Sequence, residues 1–123
     1  MRIGTDIVEC ARIRDAIERN PGQFPGIVFT EEEIAAAPSH AEARTAYFAG
    51  RWAAKEAIAK ALGCGFGAKC AWKELVIRNL PGGAPVAELS GEALKTFREL
   101  HATRIHISIS HERHYATAVA LLE

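Results

Sequence analysis

The sequence has no excess charge of either sign and no long apolar run. Its 15 Lys and Arg residues balance 15 Asp and Glu residues, which leaves no global field to attract nucleic acid or an anionic membrane. Charged residues or glycines interrupt every apolar stretch well before the ~18 residues that a membrane span needs, and the first residues lack the apolar region of a signal peptide. We therefore expect neither a nucleic acid nor a membrane as partner, and we expect a cytoplasmic location.

Cysteine is also scarce. There are three cysteines, none in a CxxC pair, and no histidine stands at a usual zinc spacing between or just after Cys64 and Cys70. This usage argues against a disulfide framework or a zinc site and favours reduced thiols in a reducing compartment. With 123 residues, 49% of them hydrophobic, the chain can form one hydrophobic core without disulfide bonds or a structural metal. We expect a single domain over residues 1–123.

The periodicity of apolar residues predicts an α+β fold. Pro25 and Gly26 predict an irregular segment, while Thr30 and Glu33 have the spacing of a capping box at the start of a helix. In chain order the predicted elements are a strand (2–9), a helix (10–20), a short helix between Thr30 and Pro38, a long helix (40–62), strands at 72–80 and 86–89, a helix that begins near Ser90, and strands at 104–110 and 115–122. We expect a small antiparallel sheet packed with a long central helix.

Three features of this predicted fold are suited to catalysis or to ligand binding. Asp6 lies within the first predicted strand, Glu56 and Lys60 lie four residues apart on the small-residue face of the long helix, and a glycine-rich loop at 63–67 follows that helix. Two carboxylates suit Mg²⁺, which takes water and substrate phosphate as further ligands. Lys60 and the N–H groups of the loop would then hold the phosphate. Taken singly, Asp6 is equally well a turn acid, and the Glu56–Lys60 pair a solvated salt bridge.

Three segments resemble the signature blocks of the holo-acyl-carrier-protein synthases, the small class of 4′-phosphopantetheinyl transferases. They are residues 4–9 (GTDIVE), 48–63 (FAGRWAAKEAIAKALG) and 107–111 (ISISH). The resemblance spans nearly the whole chain, and the spacing in the middle block is highly specific. Two positions depart from the usual pattern, Thr5 for Ile and Cys64 for Thr, and neither removes an expected ligand. The glycine-rich loop at 63–67 matches neither the phosphate-binding pattern GxxxxGK[ST] nor the dinucleotide pattern GxGxxG as a strand-to-helix turn. We therefore do not expect an ordinary nucleotide-binding fold.

The resemblance implies the 4′-phosphopantetheinyl transferase fold and a Mg²⁺-dependent transfer of the phosphopantetheine arm of coenzyme A to a serine of an acyl carrier protein, which releases adenosine 3′,5′-bisphosphate. Asp6 and Glu56 would bind the metal, and Lys60 would steady the diphosphate or the leaving group. The general base stays open between Glu56 and a metal-bound water beside Asp6. The other residues that the resemblance implies for coenzyme A are Arg51, Lys55, Gly63, Gly65, Gly83, Pro85, Ser110 and His111. His111 is equally well a turn histidine.

The resemblance also implies partners. Arg12, Arg14 and Arg19 flank an apolar stripe on the first helix, which suits an acidic carrier protein, with a solvated helix face as the alternative. The family forms homotrimers that share the active site between subunits, with Tyr47, Trp52 and Phe66 as the expected apolar contacts. A catalytically silent coenzyme A-binding module and a different Mg²⁺-dependent phosphotransferase are the competing functions. Whether the carrier serves fatty acid biosynthesis or a polyketide pathway stays open.

Overall fold

Five strands and five α-helices form the protein in the computed structural model, which describes residues 1–123. In chain order they are β1 (Arg2–Glu9), α1 (Cys10–Arg19), α2 (Phe24–Val28), α3 (Glu31–Ala36), α4 (Ala41–Leu62), β2 (Leu75–Asn79), β3 (Pro85–Leu89), α5 (Gly91–Glu99), β4 (Ile105–His111) and β5 (Tyr115–Leu122). A single turn of 3₁₀ helix, Trp72–Glu74, precedes β2. No helix combines the length and the hydropathy of a membrane span.

The strands form two antiparallel sheets. One sheet has the order β1-β5-β4, and β2 and β3 form a separate hairpin. Asp6 pairs with Ala118, which in turn pairs with Ile109, so these residues lie in one row across the larger sheet. Because side chains alternate between the faces of a strand, Gly4, Asp6 and Val8 share the face of β1 that is directed at α4.

The long helix α4 packs directly on β1. A Cβ atom at Gly4 would overlap the carbonyl oxygen of Ala57 and would lie 2.7 Å from the amide nitrogen of Ala61. Only glycine fits at such a close approach of two backbones. The small-residue face of α4 therefore brings the helix close to the strand, and Asp6 lies two residues further along that strand.

The structure confirms most of the predicted elements. The capping box of Thr30 and Glu33 is formed at the start of α3, and α4 ends at Gly63, whose φ of 79° is left-handed as expected for a C-cap. The α+β architecture with a long central helix is also confirmed.

Two local predictions are wrong. Residues 24–28 form a short helix where an irregular segment was expected. Pro25 lies in the first turn of that helix, where a missing N–H costs no hydrogen bond. The predicted strand at 72–80 begins only at Leu75, because residues 72–74 form the 3₁₀ turn.

The aromatic side chains expected at subunit contacts pack within the chain. The ring of Trp72 stacks on Trp52 at 4.6 Å and on Phe66 at 3.5 Å between centroids. The Tyr47 hydroxyl donates to the carbonyl of Glu33 at 2.6 Å. These contacts leave all three side chains partly exposed, so the apolar contacts expected of Tyr47, Trp52 and Phe66 with another subunit stay a prediction.

The three cysteines are free, as expected. Cys10 and Cys70 are buried, and burial together with the neighbouring Cys64 raises the pKa of Cys70 to about 12. These thiols are therefore packing residues in a fold that needs no cross-link.

Candidate active site

Strand β1 and helix α4 bring Asp6, Glu56 and Lys60 together. The Lys60 ammonium donates to Asp6 Oδ1 at 3.1 Å and to the carbonyl of Thr5 at 3.0 Å. The Asp6 side chain is 15% exposed, whereas that of Lys60 is 54% exposed. The carboxylate therefore lies at the bottom of the cluster, and the ammonium reaches over it from the solvent side.

The charges of this cluster favour a further cation. Desolvation raises the pKa of the Glu56 carboxyl, the negative charge of Asp6 raises it further, and Lys60 lowers it. Lys60 is ion-paired with Asp6 and makes no such contact with Glu56, so repulsion between the two carboxylates is only partly offset. A divalent cation bound by both would remove that repulsion.

The donor set fits Mg²⁺ better than a metal that needs a closed protein cage. No group of three or more His, Cys, Asp or Glu side chains could hold a metal ion, which argues against a structural zinc site. Mg²⁺ is usually bound through one or two carboxylates, waters and substrate phosphates. Asp6 and Glu56 match that requirement.

The glycine-rich loop begins one turn beyond Lys60. Gly63 and Cys64 donate to the last carbonyls of α4, those of Lys60 and Ala59. The backbone N–H groups of Gly65 and Phe66 make no hydrogen bond within the chain. Free N–H groups of an exposed loop can bind the oxygens of a phosphate. Gly65 has such a group, whereas the N–H of Gly63 is used in capping α4.

A second group of predicted residues lies elsewhere, at the end of the β2–β3 hairpin. Arg51 Nη2 donates to Asn79 Oδ1 at 2.8 Å, and its guanidinium stacks on the ring of Tyr47 at 3.9 Å. Asn79 pairs with Pro85 across the hairpin, and Gly83 lies in its turn with φ of 94°. The Arg51 side chain is 8% exposed, and its Nε has no hydrogen-bond partner within the chain. The buried Nε donor of Arg51 is therefore unsatisfied within the chain.

Ser110 and His111 are distant from the carboxylate pair in the same chain. Ser110 is one row beyond Ile109, and therefore lies on the opposite face of the sheet from Asp6. His111 shares the Asp6 face but stands two strands across and two residues along, about 12 Å away by ordinary sheet spacings. It lines a groove of ≈ 1340 Å³ between α1, the start of α4 and the β4–β5 turn, beside Arg14 and Arg44.

The structure contradicts the prediction that Lys55 binds coenzyme A phosphates. The Lys55 ammonium is completely buried and donates to Glu33 Oε1 at 2.7 Å, to the carbonyl of Val28 at 2.7 Å and to that of Trp72 at 3.2 Å. All three of its N–H donors have partners. Although Lys55 precedes Glu56 directly, the 100° step of the helix turns it into the core.

The three arginines of α1 are exposed, as a docking surface requires. Their apolar stripe is not available, because Cys10 and Ile13 are buried in the core. Arg14 contacts Asp15 at 3.8 Å and lines the groove that holds His111. Arg12 and Arg19 lie on the other flank of the helix and have no carboxylate partner.

Comparison with known proteins agrees with this geometry. A family model described as the 4′-phosphopantetheinyl transferase superfamily matches residues 2–120. The chain belongs to this superfamily. A holo-[acyl-carrier-protein] synthase of a Sulfurovum species is 45% identical over 123 residues, which cover 100% of this chain and 97% of that protein.

Solved structures of other phosphopantetheinyl transferases have the same fold. The holo-[acyl-carrier-protein] synthase of Neisseria meningitidis matches with a TM-score of 0.89 at 31% identity, over 99% of this chain and 97% of that one. The Helicobacter pylori enzyme, solved in complex with coenzyme A, matches with a TM-score of 0.87 at 30% identity, over 98% and 99%. This transferase therefore has the α+β fold that the sequence predicts.

The sequence patterns did not reveal the positions of two charged side chains of this transferase, those of Glu33 and Arg2. Glu33 was recognised only as a capping-box residue, and nothing in its spacing pointed to Lys55. Arg2 was not singled out, although strand alternation places it on the same face of β1 as Asp6. The alternation that places Arg2 on the Asp6 face could be read from the sequence, whereas no sequence signal paired Glu33 with Lys55.

Proposed function

We propose that the protein transfers the 4′-phosphopantetheine arm of coenzyme A to a serine hydroxyl of an apo acyl carrier protein, and that the transfer depends on Mg²⁺. The observation that carries the proposal is the meeting of Asp6 and Glu56 with Lys60 beside a loop with free N–H groups. This arrangement holds charge of both signs where a diphosphate must be bound, aligned and cleaved.

The reaction places specific demands on these residues. The serine oxygen attacks the phosphorus that carries the pantetheine, and the bond from that phosphorus to the bridging oxygen of adenosine 3′,5′-bisphosphate breaks. The serine proton passes to a base, which is Glu56 or a water beside Asp6. Such a transfer depends on alignment and on neutralisation of charge more than on covalent help from the protein. Lys60 would balance charge on the diphosphate, and the loop N–H groups of Gly65 and Phe66 would orient its oxygens.

Asp6 and Glu56 would hold the metal ion. Bound there, Mg²⁺ would polarise the phosphoryl oxygens and offset the negative charge of the two carboxylates. Their positions on two different elements, a strand and a helix, keep the two oxygens in a defined arrangement whenever α4 packs against Gly4.

We infer that the protein acts as a homotrimer with a shared site. Asp6, Glu56, Lys60 and the loop form one group, while Arg51, Gly83 and Pro85 form another, and His111 lies about 12 Å from Asp6 in the same chain. A site shared between subunits would let one coenzyme A contact residues of both groups. The outer face of the larger sheet suits such contacts, because Ile3, Ile7 and Val119 are 69%, 64% and 40% exposed there.

Light scattering tests this assembly. At assay concentration we expect the mass of three chains, and Ile7→Lys, on the outer sheet face, should lower both the mass and the specific activity. A monomer with full activity would contradict a site shared between subunits.

We further propose that Arg12, Arg14 and Arg19 attract the acidic carrier protein, since all three are exposed on α1.

The three free thiols suit a cytoplasmic location.

Intact mass of an apo carrier protein tests the main proposal. After incubation with this protein, coenzyme A and Mg²⁺, we expect the carrier to gain the mass of one phosphopantetheine arm, and excess chelator should prevent the gain. Binding of coenzyme A with no gain on any of several carriers would favour the silent binding module. Turnover of coenzyme A without a carrier would favour another phosphotransferase.

A further inference from the structure

Arg2 lies against the end of α4, beside the first residue of the glycine-rich loop. Its Nε donates to the carbonyl of Ala61 at 2.7 Å. Its Nη2 stands 2.5 Å from the point where a Cβ atom of Gly63 would be. The guanidinium therefore occupies the space that a side chain at the start of the loop would fill.

The outer part of this guanidinium has no partner in the chain. No carboxylate lies within ion-pair distance of Arg2, whereas Arg14, Arg78 and Arg104 each contact at least one. Neither Nη group donates a hydrogen bond, although Nε is anchored. Anchoring by Nε holds the planar fork in a fixed orientation, and the two Nη groups are left to bind a bidentate acceptor such as phosphate.

Arg2 lies along the path that joins the carboxylate pair to the loop. Arg2, Gly4 and Asp6 share one face of β1, and the neighbouring stretch of α4 runs in the same order from Gly63 to Lys60. Lys60 and Gly63 are three residues apart, about 4.5 Å along the helix axis. The ammonium of Lys60 and the guanidinium of Arg2 thus flank the same end of α4, one on the metal side and one on the loop side.

We propose that Arg2 is a further binding residue for the diphosphate of coenzyme A, which it contacts from the loop side. The inference rests on the proposed function, because it needs coenzyme A bound across Lys60 and the loop. The competing role for Arg2 is that of a cation which only stabilises the last carbonyls of α4.

Equilibrium binding separates these roles. The variant Arg2→Gln keeps an N–H donor for the carbonyl of Ala61 but loses the charge and the fork. In titration calorimetry with Mg²⁺ we expect its Kd for coenzyme A to rise about tenfold, the lower end of what a hydrogen bond to a charged group contributes. Arg2→Lys, which keeps the charge, should recover part of that loss.

A second ligand locates the contact. Dephospho-coenzyme A has the diphosphate but lacks the 3′-phosphate, so the same weakening with both ligands supports a diphosphate contact. Weakening with coenzyme A alone would overturn it, because Arg2 would then bind the 3′-phosphate. A Kd within twofold of the unmodified protein for both ligands, in Arg2→Gln with an unchanged circular dichroism spectrum, would overturn it too.

Control measurements keep the inference distinct from the proposed function. Arg98→Gln removes an exposed arginine of α5 that has no ion pair, and we expect no change in either Kd. If the unmodified protein binds coenzyme A but transfers no arm, the proposed function fails while the Arg2 contact is still decided by the two ligands. If it binds neither ligand, both proposals fail.

Discussion

Replacing Asp6 by Asn or Glu56 by Gln is expected to lower the rate of phosphopantetheine transfer by about 10³-fold, in line with the loss of a main electrostatic group at a reacting centre. Each change removes one negative charge from the pair that is expected to hold Mg²⁺, with little change in side-chain volume. Glu56→Gln also ends the repulsion that, together with desolvation, raises the pKa of the Glu56 carboxyl. The folded protein should therefore survive both substitutions.

Transfer rates measured at saturating carrier and coenzyme A over a range of Mg²⁺ concentrations check this prediction. If the two carboxylates hold the metal, both variants should need far more Mg²⁺ for half-maximal rate. The matched control is Glu99→Gln, which removes an exposed carboxylate from α5 and should leave the rate and the Mg²⁺ requirement unchanged. Full activity in either site variant would remove that residue from the metal site.

Replacing Lys55 by Met is expected to lower the free energy of unfolding by about 3–5 kcal/mol, because it leaves the buried Glu33 carboxylate without its counter-charge. Glu33 also accepts hydrogen bonds from the backbone N–H groups of Thr30 and Ile77. The pair thereby joins α3, α4 and the start of the β2–β3 hairpin. Desolvation lowers the pKa of Lys55 and the charge of Glu33 opposes that shift, which agrees with an ion pair wholly removed from water.

Urea unfolding at fixed protein concentration measures this effect. A double-mutant cycle with Glu33→Gln should show strong coupling, so that the double variant loses clearly less than the sum of the single losses. The exposed pair of Arg14 and Asp15 is the control, since Arg14→Met should cost less than about 1 kcal/mol. A comparably small loss in Lys55→Met would show that the buried pair contributes little.

Much of the secondary structure was predictable because it depends on local patterns. The alternation in β4 and the helical spacing in α4 each repeat over many residues. The capping box of Thr30 and the C-cap of Gly63 are signals confined to a few positions. The errors fell on short segments, the five residues of α2 and the 3₁₀ turn at 72–74, where a single turn is too short for a periodic signal and packing decides the conformation.

The candidate site was predictable in its residues but not in its arrangement. Asp6, Glu56 and Lys60 were singled out from residue type and spacing, and the structure brings them together. Lys55 belongs to the same motif as Glu56, yet its ammonium lies in the core. Its burial depends on Glu33, 22 residues away, and no local pattern links the two.

The sequence by itself determined the family, the α+β fold class and the residues that are expected to bind metal and diphosphate, because these are encoded in short motifs and in apolar periodicity. Only the tertiary structure decided which of the motif's charges face solvent and which the core. It also joined Arg51 to Asn79 of the hairpin, and it placed Arg2 beside the glycine-rich loop. The physical reason is that these arrangements follow from strand register and from the close packing of α4 on Gly4, which join residues far apart in the chain.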